Sequence, residues 1–160
     1  MNKNDFAKTP PMGWNSWDCY GASVTEKELK QNSDYMAEHL KKYGWEYIIC
    51  DIQWYEPTAD SSHYHKFADL CMDEYGRLIP AENRFPSAAG GKGFREIADY
   101  IHGKGLKFGI HIMRGIPRQA VAKNVTIKGT SYTARQVAHP ASICCWNSDM
   151  YGVDSTQPGA

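Results

Sequence analysis

The sequence predicts an α/β fold with parallel strands, and three observations carry that prediction. Residues 47–57 read Tyr-Ile-Ile-Cys-Asp-Ile-Gln-Trp-Tyr-Glu-Pro. This begins as a short apolar run without alternation, the pattern of a parallel strand covered on both faces. An amphipathic helix precedes it and a short first strand precedes that helix, so the order is strand, helix, strand with a short return, a βαβ unit. A second helix and an alternating third strand then repeat the plan between residues 94 and 113. The apolar run of the second strand ends on Asp51. A charged residue there is costly unless it is exposed in a mouth or pocket, and the carboxyl end of parallel strands is where sheets and barrels bind ligands. Asp51 is therefore read as holding a polar ligand, with the indole of Trp54 helping to wall it in. The competing reading is a strand-end aspartate that caps the next turn.

Taken in order, Thr9-Pro10-Pro11 is an extended lead-in, because each proline restricts the residue before it. Met12 to Trp17 reads as the first strand, with two indoles three residues apart. Thr25-Glu26-Lys27-Glu28 has the form of a capping box. The helix it starts carries Leu29, Met36, Leu40 and Tyr43 along one face and ends at Gly44. The segment from Gln53 to Gly90 is far longer than the about 2–6 residues of an ordinary βα loop, which marks it as functional. Within it, residues 73–79 suggest a small turn or hairpin. Phe94, Ile97, Ala98 and Ile101 have helical spacing, and Gly103 and Gly105 close that helix. Strand three, Leu106 to Met113, places Leu106, Phe108, Ile110 and Ile112 on one face and Lys107, Gly109, His111 and Met113 on the other. In a closed parallel barrel the first face meets helices and the second points inward, which puts His111 near the ligand-binding end. A half-buried core histidine is equally compatible with that spacing. A second long excursion, Arg114 to Asp154, has short helical turns at residues 117–123 and 133–138. Three βα-type units cannot close a barrel, which takes eight strands and about 250 residues, so the chain is expected to be the front part of a longer protein.

Composition excludes several classes. The 160 residues suffice for one domain with a core. Eighteen basic and eighteen acidic side chains cancel, leaving no electrostatic footprint for nucleic acid or an anionic membrane. No run approaches the roughly 18 apolar residues of a membrane span, and residues 1–8 are polar, without a signal-peptide segment. The five cysteines (Cys19, Cys50, Cys71, Cys144, Cys145) are odd in number and unpatterned, which suits a reducing cytoplasm. Asn124-Val125-Thr126 matches a glycosylation sequon, but without a secretory signal it is read as chance.

Other chemistries find little support. Ala89-Gly90-Gly91-Lys92-Gly93 lacks the frame of a phosphate loop, and no glycine fingerprint for a dinucleotide or nucleophile elbow for a serine hydrolase occurs. No cofactor is expected. His63, His65 and Cys71 are zinc-ligand types, but no fourth ligand falls at fixed spacing, so no metal is expected either. An aldolase-type enzyme would need a Schiff-base lysine; Lys107 points inward in this strand-three reading but lies near the start of its strand.

The stretch Pro10-Pro11-Met12-Gly13-Trp14-Asn15-Ser16-Trp17 resembles the start of the catalytic barrel in glycoside hydrolase family 27, the α-galactosidase and α-N-acetylgalactosaminidase family. The likeness continues in register through Asp51 and Trp54, Gly76-Arg77-Leu78, Arg84-Phe85-Pro86 and the run from Ile97 to Ile110. The resemblance implies the N-terminal portion, about three βα units, of a (β/α)8 TIM barrel. It also implies a retaining exo-glycosidase acting on terminal α-galactose-type sugars, with α-N-acetylgalactosaminidase or β-L-arabinopyranosidase activity as variants. Retaining enzymes use two carboxylates about 5–5.5 Å apart. By this mapping both are aspartates on later strands, so residues 1–160 hold no catalytic residue, and Asp149 and Asp154 do not match the nucleophile's motif. What carries over is substrate binding: Trp17 as a pocket wall and Asp51 as acceptor for sugar hydroxyls, with Ile52, Trp54 and His111 beside them.

Three departures bear on the substrate. Galactose-specific members have a second aspartate directly after the first, where this chain has Ile52; an aliphatic side chain cannot accept from a 6-hydroxyl, which favours a sugar without that group, such as β-L-arabinopyranose. His111 stands at the family's strand-three tyrosine position. A disulfide of secreted members would need cysteines at Ala22 and Gln53, and its absence agrees with a cytoplasmic relative. The partner implied is a small glycoside or oligosaccharide. The alternative is a non-catalytic carbohydrate-binding protein or an inactive fragment.

Overall fold

The structure is a computed structural model that describes residues 9–160; the polar segment 1–8 lies outside the described residues. Strands β1 (Met12–Asn15), β2 (Trp45–Cys50) and β3 (Lys107–Ile110) form a parallel sheet in the order β1-β2-β3. Because the order never reverses, successive crossovers stack their helices along one face, as in a parallel barrel and unlike a doubly wound sheet. Two complete crossovers are present, one between β1 and β2 and one between β2 and β3. After β3 no third helix packs back onto this sheet among the described residues. Of the about three βα units expected, the described residues show three parallel strands and two helical crossovers.

The first crossover holds α1 (Trp17–Tyr20) and α2 (Glu26–Tyr35). The capping box forms as expected: Thr25 Oγ1 accepts from the Glu28 amide, and the Glu28 carboxylate accepts from the Thr25 amide at 2.8 Å. The helix then widens into a π turn at Met36–Leu40 and tightens into a 3₁₀ turn at Lys41–Tyr43. These changes of pitch rotate the apolar face. Leu29 and Met36 are buried as expected, but Tyr43 is 66% exposed. Gly44, at φ 91°, ends the run in the left-handed region.

The second crossover contains the long loop and then α3 (Arg95–Gly103), which buries Ile97 and Ile101 against the sheet. The small turn at 73–79 forms, with Met72 bridging Leu78 and the Asp73 amide bonding the Arg77 carbonyl. In β2 the helix-facing residues Ile48 and Cys50 are fully buried, whereas Tyr47 and Ile49 on the other face are only half-buried. Among the described residues, then, helices cover one face of β2 and the opposite face carries a half-buried row. Register places Tyr47 beside Lys107 and Ile49 beside Gly109 in that row. Gly13 belongs to it too, since a Cβ there would lie 2.5 Å from Tyr47. On β3 the face assignment holds for Leu106, which is buried, and for Phe108, which packs on the core. It fails further on: Ile110 and Ile112 are 47% and 54% exposed, while Met113 is buried. The strand stops at Ile110, so strict alternation ends there, and β3 is the outer strand of the sheet as described.

The excursion after β3 builds a second, antiparallel sheet that the sequence reading missed: β4 (Ile116–Pro117), β5 (Ala138–Ile143) and β6 (Met150–Val153), in the order β4-β6-β5. The two short helical turns expected there are present as α4 (Arg118–Lys123) and α5 (Ala134–Val137). No helix among the described residues is long and apolar enough to cross a membrane.

Candidate functional site

The site is assembled where β1, β2 and β3 end. Asp51 is the residue directly after β2, and its carboxylate is buried and already partnered. Its Oδ1 accepts from its neighbour's amide, that of Ile52, at 2.7 Å and faces His111 Nδ1 at 2.8 Å. Its Oδ2 accepts from Asn15 Nδ2 at 2.7 Å. A carboxylate offers about four lone-pair sites, so three are used and one on Oδ2 remains for a ligand hydroxyl. The Asp51 amide donates to Ser16 Oγ at 2.9 Å, and the Ser16 amide donates to the Ile49 carbonyl. The end of β1 thus clamps the end of β2 through two side chains.

Asn15 also links Asp51 to Trp17, because its Oδ1 accepts from the Trp17 amide at 2.8 Å at the start of α1. The Trp17 indole is exposed and stacks on Tyr64, with centroids 5.6 Å apart and planes at 18°. Tyr64 in turn meets Trp146 at 5.1 Å. Burial raises the Tyr64 phenol above its ordinary range, and the carboxylate of Asp51 nearby adds to that. The result is a line of three aromatic rings beside an acidic acceptor, a surface suited to the apolar face of a sugar.

His111 presents a 58% exposed side chain. Its Nδ1 donates to Asp51 Oδ1, and its Nε2 has no hydrogen-bond partner among the described residues. The half-buried core reading of this histidine is therefore corrected. Trp54 needs a larger correction. It is 3% exposed, its ring packs edge-on against Phe94 and Tyr55, and its Nε1 donates to the His111 carbonyl at 2.9 Å. It supports the strand ends from within the core and walls nothing at the surface. Ile52 is equally buried, in the same apolar cluster. The structure thus brings Trp17, Asp51 and His111 to one surface, with Ile52 buried directly after Asp51 and Trp54 packed beneath the strand ends.

Behind the site, Arg84 is a buried guanidinium that donates to four backbone carbonyls. Nη2 reaches Ala22 and Val24 at 2.5 and 2.7 Å, and Nη1 reaches Gln53 and Glu56 at 3.0 and 2.8 Å. Positions 22 and 53 are therefore tied through Arg84; all five cysteines are free. The sequence singled out Arg84 only as part of a motif, and it gave Asn15, Ser16 and Tyr64 no role. The signal for Asn15 and Ser16 was their place at a strand end within the Trp-Asn-Ser-Trp run.

The other carboxylates do not offer an obvious reacting pair. Glu56 is fully buried and bonded to His65. Asp149 is buried, whereas Asp154 is spent on a turn with Thr156 and Gln157. Lys107 is unsuited to Schiff-base chemistry: its ammonium bonds Glu46 at 2.7 Å, and that contact, with the Tyr47 hydroxyl, raises its pKa.

Comparison with known proteins agrees with this architecture. A family model described as alpha galactosidase A matches residues 9–156. A GH27 β-L-arabinopyranosidase from Geobacillus stearothermophilus, solved in complex with arabinose, is 67% identical with a TM-score of 0.97, covering 100% of this chain and 37% of that one. A structure described as a putative α-N-acetylgalactosaminidase from Bacillus halodurans is 69% identical with a TM-score of 0.89, covering 94% of this chain and 35% of that one. An α-galactosidase from Coffea arabica is 37% identical over 109 residues, which is 68% of this chain and 24% of that enzyme. The chain spans about a third of these solved structures and about a quarter of the curated relative.

Proposed function

This chain belongs to the alpha-galactosidase A family, and from that premise we propose that it is the N-terminal part of the (β/α)8 catalytic barrel of a retaining exo-glycosidase whose preferred substrate is a β-L-arabinopyranoside. The observation that carries the sugar choice is the pair Asp51–Ile52. Asp51 keeps one lone pair for a ring hydroxyl, and the next position contributes a buried aliphatic side chain in place of a second acceptor. A galactoside would bring a 6-hydroxyl with no partner there, and an unpaired buried hydroxyl is costly. A sugar with the same ring hydroxyls and no C6 group avoids that cost. The similarity to a β-L-arabinopyranosidase supports the reading.

In this reading Asp51 accepts a sugar hydroxyl through Oδ2, His111 accepts another through Nε2, and Trp17 covers the apolar face of the ring. The reacting carboxylates come from later strands of the full-length protein, which acts on a small-molecule glycoside. The test is kcat/KM of the full-length protein on a nitrophenyl β-L-arabinopyranoside and the corresponding α-galactoside, with Asp51→Asn as control. Preference for the arabinopyranoside by at least about tenfold, the scale of one small group in a pocket, and loss of most activity in Asp51→Asn support the reading. Sugar binding without turnover of either substrate would favour a non-catalytic carbohydrate-binding protein instead.

A further inference from the structure

We propose that the loop following β2 carries a binding site for a zinc-class divalent cation, with Asp60, His63 and His65 as its protein ligands. One ligand atom from each lies within 4.8 Å of the other two. Asp60 Oδ2 is 3.1 Å from His65 Nε2 and 3.4 Å from His63 Nδ1. Around a tetrahedral ion with bonds of about 2.0–2.1 Å, neighbouring ligand atoms sit about 3.3 Å apart. Two of the three edges are already close to that length, and the third is within 4.8 Å. Cys71, a zinc-ligand type in the sequence, is not part of the cluster.

The supporting contacts are those a metal site uses. His65 Nδ1 lies 2.6 Å from Oε1 of Glu56, a carboxylate with no exposed surface. A carboxylate on one imidazole nitrogen fixes the tautomer and turns the lone pair of the other toward the metal; here that other nitrogen is the one facing Asp60. Asp60 is oriented in the same way. Its Oδ1 accepts from the Ser62 amide, the Ser62 hydroxyl and the His63 amide at 2.7, 2.9 and 3.0 Å, which leaves Oδ2 directed at both imidazoles. The Ser62 hydroxyl is also 2.8 Å from His63 Nδ1 and must give that nitrogen up when a cation binds.

Both histidines converge on one carboxylate oxygen, with ring centroids 5.1 Å apart. Two imidazoles and one carboxylate suit zinc, cobalt or nickel and not calcium or magnesium, which take oxygen ligands. The site also has a structural consequence. His63 and His65 flank Tyr64, the ring that stacks on Trp17, so a cation there would anchor the loop that completes the aromatic line. The inference does not depend on which sugar the protein takes.

The experiment is titration of untagged, chelator-treated full-length protein with cobalt(II), followed by its visible ligand-field absorption and by zinc competition. One equivalent of cobalt should bind with a low-symmetry spectrum and be displaced by zinc. His63→Ala, an exposed and therefore fold-neutral change, should weaken binding at least tenfold, as should His65→Ala. Glu56→Gln should weaken it about 10–100-fold with the ligands intact. Absence of a stoichiometric spectrum in the wild type, or an unchanged titration in His63→Ala and His65→Ala, would overturn the proposal.

Discussion

Replacing Arg84 with methionine removes a buried side chain that joins the loop after β1 to the loop after β2, and the size of the loss follows from its contacts. The guanidinium makes four hydrogen bonds of 2.5–3.0 Å to the carbonyls of Ala22, Val24, Gln53 and Glu56. A buried carbonyl left without its donor costs about 1–3 kcal/mol; the Gln53 and Glu56 carbonyls keep the amides of Glu56 and Ala59 as donors, so the two orphans at Ala22 and Val24 set an upper bound of about 6 kcal/mol. Water entering the space and loop relaxation recover part of this, as they do for broken buried ion pairs, where about 3–5 kcal/mol is lost. The expected destabilisation is therefore about 3–5 kcal/mol. At about 2–4 °C per kcal/mol for a domain of this size, the thermal midpoint falls by at least about 6 °C. Arg84→Lys should recover little, because one ammonium cannot span the two loops. Urea unfolding followed by tryptophan fluorescence measures the effect. A loss under about 1 kcal/mol for Arg84→Met would show that the loops are held by something other than this clamp.

Two further predictions concern pH. Burial pushes the Asp149 carboxyl above its ordinary value, and its oxygens lack a well-aligned hydrogen bond, although the Phe67 and Ala68 amides and Arg118 lie near enough to oppose the shift. The folded state therefore holds this proton more tightly, and stability is lost as pH rises from 3.8 through the raised value. Asp149→Asn is expected to be more stable than wild type at neutral pH by about 1 kcal/mol, with the gap closing in acid; equal stability at neutral pH would refute this. Glu26 behaves in the opposite sense. Burial raises it, but Lys30 at 2.5 Å and the Ser87 amide at 2.9 Å outweigh burial and lower its pKa. Its contribution is present above the unfolded value of 4.5 and disappears as pH falls through the depressed one. Wild type should lose stability more steeply than Glu26→Gln over that acid range, and parallel urea midpoints would contradict it.

The parts of the fold legible in the sequence were those set by local rules. The capping box at Thr25, the ends at Gly44 and Gly105, the 3.6-residue spacing of Ile97 and Ile101, and the position of Asp51 after an aliphatic run all depend on neighbours in sequence. What escaped depends on partners far away. Trp54 looks like a pocket wall beside Asp51, yet its ring is drawn inward by Phe94, forty residues on, and by the His111 carbonyl. Tyr43 has the right spacing for the core, but a π turn that no local motif announced rotates it into solvent. Asn15 and Ser16 work only because parallel pairing sets the end of β1 beside the end of β2. The antiparallel sheet of β4, β5 and β6 was hidden because its strands are short, interrupted by Pro140, and rich in small residues.

The central claim is that an acceptor at Asp51 and an aliphatic neighbour at Ile52 select a galacto-configured sugar without a C6 hydroxyl. The most direct measurement is the ratio of kcat/KM for a nitrophenyl β-L-arabinopyranoside to that for the matching α-galactoside, taken on the full-length protein. The account predicts a ratio of at least about 10, with about 200 as the ceiling that one missing group supports. A ratio below one, with the α-galactoside turned over faster at low concentration, would contradict it.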